Sequence, residues 1–167
     1  MKLSDFDISH PYTTTLLSTQ RITPLNWEAE VRHLVLRLPD VPFRYVEGQS
    51  IGVLVPGPHE FGNPYHLRLY SIASPRSGDD GRGDTLSICV RRCFSIDDIS
   101  GERYPGVASN YLCDANPGDE IKITGPYGVQ FTPPDDPTAT LLMIGVGTGI
   151  APFRAFVRRI YDLHGQR

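Results

Sequence analysis

The chain has 167 residues, 40% of them hydrophobic, and a net charge of −3 from 16 basic and 19 acidic side chains. It can therefore bury one substantial core, and it carries no bulk positive field that would favour nucleic acid. No apolar run approaches the roughly 18 residues of a membrane span, and the polar, acidic N-terminus lacks the apolar stretch of a signal peptide. The three cysteines, Cys89, Cys93 and Cys113, are odd in number and form no C-x-x-C pair. That spacing predicts neither a disulfide framework nor a metal site, and a soluble protein in a reducing cytoplasm is expected.

The 16 Gly and 15 Pro fall mostly between short apolar runs, which argues for many turns and a mainly β architecture. Residues 1–14 show no sustained period and contain Pro11, as an N-terminal arm would. A first strand is predicted over Thr15–Ile22 and a second over Glu30–Leu38, where Val31, Val35 and the leucines alternate with Arg32, His33 and Arg37 before Pro39-Asp40. A lone strand histidine such as His33 reads as a packing or solvated residue rather than a base. Tyr45–Ser50 leads into a strand over Ile51–Val55, which Pro56-Gly57-Pro58 ends.

The run Tyr65–Pro75 is a further strand rich in Leu, Ile and Tyr. Its two-residue period sends Leu67 and Leu69 to a packing face and Arg68 and Tyr70 to the other. A ring beside a cation suits a ligand with both a flat conjugated system and a diphosphate, of which a flavin dinucleotide is one. Ser71 follows, where its hydroxyl can meet the polar edge of a stacked ring. Taken alone, these residues also fit an ordinary half-buried strand.

After the turn-rich loop 76–84, Leu86, Ile88 and Val90 alternate with Ser87, Cys89 and Arg91 in a strand over Thr85–Arg92. By themselves Arg91 and Arg92 read as edge charges. Gly106–Asp114 has a helix start with Ser109 as its N-cap, and Gly106 lets a ligand approach the free N–H groups of an anion-attracting turn. A plain capped surface helix is the alternative. Glu120–Thr124 is the last barrel strand and Gly125–Gly128 its closing turn, so about six antiparallel strands and one short helix predict a Greek-key β-barrel.

Phe131–Pro137 reads as a linker, beyond which the composition changes. Thr140–Gly145 is a continuous apolar run, as in a strand buried within a parallel sheet. The Gly-rich turn that follows, before a helix with Pro152 near its start, suits nucleotide phosphates. Along that helix Phe153, Phe156, Val157, Ile160 and Tyr161 form a face to bury, with Arg154, Arg158, Arg159 and Asp162 on the other side. The expected organisation is an arm (1–14), a cofactor-binding barrel (15–132), a linker (133–138) and the start of a nucleotide-binding domain (139–167). Only 22 residues follow Gly145, whereas one βαβ unit takes roughly 30. That second domain is therefore expected to be incomplete, its orphaned helix free to self-associate.

Arg68-Leu69-Tyr70-Ser71, then Gly106-Val107-Ala108-Ser109-Asn110, then Gly145-Val146-Gly147-Thr148-Gly149-Ile150-Ala151-Pro152 stand in the order and spacing of the ferredoxin–NADP reductase family. The resemblance extends from about Arg32 to Tyr161. It implies a mainly β, FAD-binding, six-stranded antiparallel Greek-key barrel followed by a nucleotide-binding domain. It also implies NADPH as substrate and a one-electron carrier, ferredoxin or flavodoxin, as partner. By the same resemblance Tyr70 stacks on the flavin and Ser71 lies near its reactive nitrogen, both as catalytic residues. Arg68, Leu69, Gly106, Val107, Ala108 and Ser109 hold the cofactor. Cys89, Val90 and Arg91 touch the flavin cofactor, and Thr148 sits at its junction with nicotinamide. Ser71, Arg91, Gly147, Thr148 and Gly149 receive the nucleotide. One departure is the tyrosine that the family uses over adenine: here Phe94 and then Ser95 are near. A flavin-binding module without reductase activity is the rival reading.

Overall fold

The computed structural model describes residues 6–57, 59, 62–128, 131, 133–134, 136 and 138–164. Residues 1–5 of the expected arm, 58, 60 and 61 of the loop before Tyr65, 132, 135 and 137 around the expected linker, and 165–167 lie outside the described residues. The alternating apolar runs form strands β1 (Tyr12–Arg21), β2 (Val31–Arg37), β3 (Ser50–Pro56), β4 (Tyr65–Ser71) and β5 (Thr85–Arg91). They are followed by β6 (Phe94–Ile96), β7 (Arg103–Pro105), helix α1 (Val107–Asp114), β8 (Glu120–Tyr127), a 3-10 turn at Gly147–Ile150 and helix α2 (Ala151–His164).

Six strands form one antiparallel sheet in the order β4-β3-β8-β1-β2-β5. Its edges, β4 and β5, meet just beyond the end of β4, at a bridge between Ile72 and Ile88 and a bond from Ala73 N to Ser87 O of 2.7 Å. The sheet thereby curls into the expected six-stranded barrel. Leu16, Leu34, Leu36, Ile51, Ile88 and Ile123 are wholly buried within it, each such side chain contributing about 1.5–3 kcal/mol of transfer free energy. Register keeps them together, since Leu34 lies opposite Ile88 and Leu36 opposite Leu86.

β1 starts at Tyr12 rather than Thr15, because β8 offers it a ladder from Tyr12↔Ile123 to Thr15↔Glu120 and Thr14 Oγ1 donates to Ile121 O at 2.8 Å. β8 likewise runs past Thr124 to Tyr127, whose ring meets that of Phe6 edge-on at 4.9 Å and whose hydroxyl donates to Asp7 O. The β6–β7 hairpin was not legible as strands. It turns on Asp97, whose carboxylate accepts from the N–H groups of Ile99 and Ser100, and on Gly101 at φ +70°.

The expected strand over Thr140–Gly145 does not form. The segment takes no strand pairing, and Leu142, Ile144 and Val146 are 83%, 78% and 90% exposed. A continuous apolar run becomes a buried strand only between parallel neighbours, and none stands beside it among the described residues.

Glu47 anchors the end of the barrel where the edges meet. It is 1% exposed, and its carboxylate accepts from Arg76 N at 2.8 Å, Nη2 at 2.7 Å and Nε at 3.1 Å. Gly48 beside it has φ +95°, and a Cβ there would lie 1.6 Å from Phe131 O, so only glycine fits. Burial pushes the Glu47 carboxyl up, but the side-chain and backbone hydrogen bonds from Arg76 outweigh this and hold it below its ordinary value. The group therefore stabilises the fold above the ordinary glutamate range, and the contribution is lost as pH falls through the lower folded value. Glu47→Gln should cost about 1.5–3 kcal/mol. Urea titrations of the two proteins should converge on acidification, and a constant difference down to acid pH would show that the ion pair is not the source.

Candidate functional site

Beyond the Ile72–Ile88 bridge the two edge strands diverge, β4 pairing only with β3 and β5 only with β2. Helix α1 lies at this seam, its buried Ala108, Ser109, Leu112 and Cys113 turned to the barrel. What remains open is a cavity of about 1040 Å³. It is lined by all of β4, by Cys89 and Arg91 of β5, by Cys93–Ser95 and Pro105, by Gly106–Ser109 at the start of α1, and by Thr148, Gly149 and Ala151.

The faces of β4 depart from the expectation in part: Arg68 is exposed and lines the cavity as expected, whereas Tyr70 also packs against the barrel core. Residues directly opposite in an antiparallel pair share a side, and Arg68 and Tyr70 lie opposite the core residues Val53 and Ile51. Tyr70 accordingly packs against the core, half-buried, and burial foremost, with the nearby Cys113 and Cys93 thiols, pushes its phenol well above its ordinary range. Leu67 and Leu69 are only half-buried, with Leu67 lying over Gly52, where a Cβ would come within 2.6 Å of its Cδ1. The ring is thus fixed by the barrel while one flank borders the cavity.

Among the described residues, the guanidinium groups of Arg68 and Arg91 and the hydroxyl of Ser71 have no hydrogen-bond or ion-pair partner. Arg92 is different: it donates to Glu30 Oε2 at 2.7 Å, Asn110 Oδ1 at 2.8 Å and Asp114 Oδ1 at 2.7 Å, pinning α1 to the end of β5. Of the adjacent pair, Arg92 is therefore structural and Arg91 is left for the cavity.

Ser109 is not the N-cap. Gly106 occupies that position and makes no side-chain cap, and Ser109 stands two residues inside the helix. There its Oγ accepts from Cys93 N at 3.1 Å and donates to Gly106 O at 3.2 Å. Gly106 itself is tight: a Cβ would lie 3.0 Å from Ser109 Oγ and 3.2 Å from Cys93 O. The first N–H groups of α1 nevertheless have no preceding carbonyl within the helix, so an anion-favouring terminus does border the cavity.

Arg68, Leu69, Tyr70, Ser71, Cys89, Arg91, Gly106, Val107, Ala108, Ser109, Thr148 and Gly149 all line one cavity. Val90 and Gly147 do not: the Val90 side chain is wholly buried in the core, opposite Arg32, and Gly147 stands outside the lining at φ +57°. Phe94 does line it, with the Arg103 guanidinium 3.8 Å above the ring. Burial pushes the Cys89 thiol up, and the Cys113 thiol to about 11, so neither is poised as a nucleophile. Sequence reasoning missed His66, a cavity-lining neighbour of Arg68 held towards its neutral form by burial and then by Arg68 and His59. No spacing in the chain signals it.

Curated relatives share this sequence at high identity. A chloroplastic root ferredoxin–NADP reductase of Arabidopsis thaliana is 47% identical over 165 residues, which is 95% of this chain and 43% of that protein. The cyanelle ferredoxin–NADP reductase of Cyanophora paradoxa is 45% identical over 161 residues, 96% of this chain and 44% of that one. Over nearly all of its length the chain is similar to ferredoxin–NADP reductases. It spans less than half the length of these relatives. Among solved structures, ferredoxin–NADP reductase from Plasmodium falciparum superposes with a TM-score of 0.75 at 24% identity, over 94% of this chain and 55% of that one. The same enzyme solved with 2′P-AMP gives 0.73. These likenesses support the barrel fold. No protein-family profile matches the chain.

Ser109 acts as a tether between α1 and the residues that follow β5, which is testable apart from any ligand. Ser109→Ala should destabilise by about 1–3 kcal/mol, because the part-buried Cys93 N–H loses its acceptor. Gly106→Ser, which adds a capping hydroxyl, should not rescue it in a denaturation series. Rescue would restore the capping role.

Proposed function

We propose that this chain is the flavin-binding part of a ferredoxin–NADP reductase-type oxidoreductase, holding FAD and passing electrons from NADPH to a one-electron carrier such as ferredoxin or flavodoxin. The observation that carries the reading is the pair of unpartnered cations, Arg68 and Arg91, sharing a cavity with the half-buried Tyr70 ring and the free N-terminus of α1. Two unneutralised guanidinium groups beside a helix start suit a diphosphate, and a ring backed by core suits a flat conjugated ligand. The residues present therefore fit FAD. When bound, FAD supplies the step between two-electron hydride transfer and one-electron release. The chain's own part is to hold it: Tyr70 stacks, Arg68 and the Gly106–Ser109 turn take the diphosphate, and Phe94, backed by Arg103, faces the adenine end. Ser71 offers the unpaired hydroxyl, and Thr148 and Gly149 border the side from which NADPH approaches.

A flavin-binding module without turnover is favoured by one observation, the unpaired and exposed run Thr140–Val146, which leaves the Thr148 turn without a sheet behind it. The exposed Leu142, Ile144, Val146 and Tyr161 also support self-association of this chain, which sedimentation velocity over a concentration series would detect. Three cysteines without a disulfide, Cys89, Cys93 and Cys113, suit a cytoplasmic or other reducing setting.

FAD should bind more tightly than FMN in fluorescence titrations, and equal affinities would sink the diphosphate assignment. Arg68→Ala should weaken FAD by about 1.5–3 kcal/mol and FMN by less. Tyr70→Ala should weaken both flavins by about 0.5–1.5 kcal/mol beyond the loss of buried area. Rapid bleaching of the flavin-loaded chain by NADPH, at about 10 per second or faster, would support the enzyme over the module.

A further inference from the structure

Helix α2 does not dock as its sequence suggests. Ala151, Ala155 and Phe156 are buried, with Phe153 and Phe131 beside Phe156, but Val157, Ile160 and Tyr161 are exposed, and polar side chains of the helix join the barrel as well. Arg154, Arg158 and Asp162, four residues apart, all reach the loop that follows β4. Arg154 Nη1 donates to Ala73 O and to Asp79 Oδ1, both at 2.8 Å. Arg158 Nη2 donates to Asp79 O at 3.0 Å, and Ser77 Oγ donates to Asp162 Oδ2 at 3.1 Å.

Arg154 is the member of this set that bears on the cavity. Ala73 is wholly buried and stands two residues beyond Ser71, where β4 has ended. Three residues before Arg154, α2 begins at Ala151, whose N–H donates to Thr148 O, so the 3-10 turn is hydrogen-bonded to the helix start. Thr148, Gly149 and Ala151 form the opposite border of the cavity.

We propose that Arg154 is a positioning residue, fixing the start of α2 and the Gly147–Ile150 turn to the loop that follows β4, so that Thr148 and Gly149 keep their place at the border of the cavity. A surface ion pair would hold little, but here one cation bonds a buried carbonyl and a carboxylate whose Oδ2 is itself buried. The consequence for the bound ring rests on the flavin reading; the fixing of the turn does not.

His33 reports on the clamp from behind. Its Nε2 lies 3.5 Å from Asp79 Oδ2, and both atoms are buried without a hydrogen bond. The charged and titratable groups around it are Asp79 of the loop, Arg154 of α2 and, across the strand pair, Cys89. Burial holds His33 below its ordinary range, Arg154 adds to that and Asp79 opposes it.

The test compares the chain with Arg154→Met, which keeps the stem and removes the donors, and with Arg154→Lys, which restores a cation. In Arg154→Met, the NMR titration midpoint of His33 should rise, and amide exchange over 148–151 should quicken by about tenfold or more. The visible circular dichroism of bound flavin should change, while its dissociation constant stays within about threefold. Arg154→Lys should recover part of each change. An unmoved His33 midpoint would show that the clamp is absent in solution, and a moved midpoint with unchanged exchange over 148–151 would show that it fixes nothing; either overturns the proposal. Failure of the unsubstituted chain to bind flavin would instead sink the reductase reading, and the His33 and exchange measurements would still decide the role of Arg154.

Discussion

A single bridge, Ile72 to Ile88, closes a sheet of six strands, and everything functional in this chain follows from how little that closure covers. Had β4 and β5 paired along their lengths, the barrel would have no edge and no cleft. Because they part after one bridge, two edges face each other with unpaired backbone groups, an arrangement that ordinarily invites aggregation. α1 wedges one end of the seam, and the rest is left as a cavity with the whole of β4 as one wall. Positions along β4 are therefore held to the precision of the barrel ladder, which is what an aligned ring and its charged tail require.

The charges divide along the same seam. Arg92 and Arg76 are each bound by carboxylates, Glu30 and Asp114 for the first and Glu47 for the second, and they fasten α1 and the closed end of the barrel. Arg68 and Arg91 meet no carboxylate among the described residues, though the chain has more acidic than basic side chains. Two like-charged groups around one cavity cost electrostatic free energy in the unliganded protein, which an anionic ligand would offset. Unequal satisfaction of neighbouring arginines is thus more informative about the site than their number.

Much of the barrel was readable because its strands alternate with period two and are punctuated by Gly and Pro, and the Arg68–Ser71 run stood out because its alternation puts a cation and a ring on one face. What the alternation did not show is that Tyr70 also packs against the core, because its place opposite Ile51 is set by long-range pairing. Ser109 looks like a cap because serine favours caps, but tertiary hydrogen bonds to Cys93 and Gly106 claim its hydroxyl. The Phe94–Pro105 hairpin was hidden by its polar composition, since Asp97 and Gly101 make the turn and no apolar face has to be buried.

The C-terminal segment shows where pattern fails altogether. Thr140–Gly145 pairs with no strand among the described residues, so the run stays exposed, and Val157, Ile160 and Tyr161 on the apolar face of α2 are exposed with it. Arg154 lies 75 residues from Asp79 and 81 from Ala73 in sequence, separations at which no local period can announce a contact. An arginine that bonds a buried carbonyl two residues past Ser71 adds a polar hold to the buried Ala155 and Phe156, so the helix is held to the barrel while Val157, Ile160 and Tyr161 stay exposed. Because the Ala151 N–H at the start of that helix donates to Thr148 O, what holds the helix bears directly on the turn that borders the cavity.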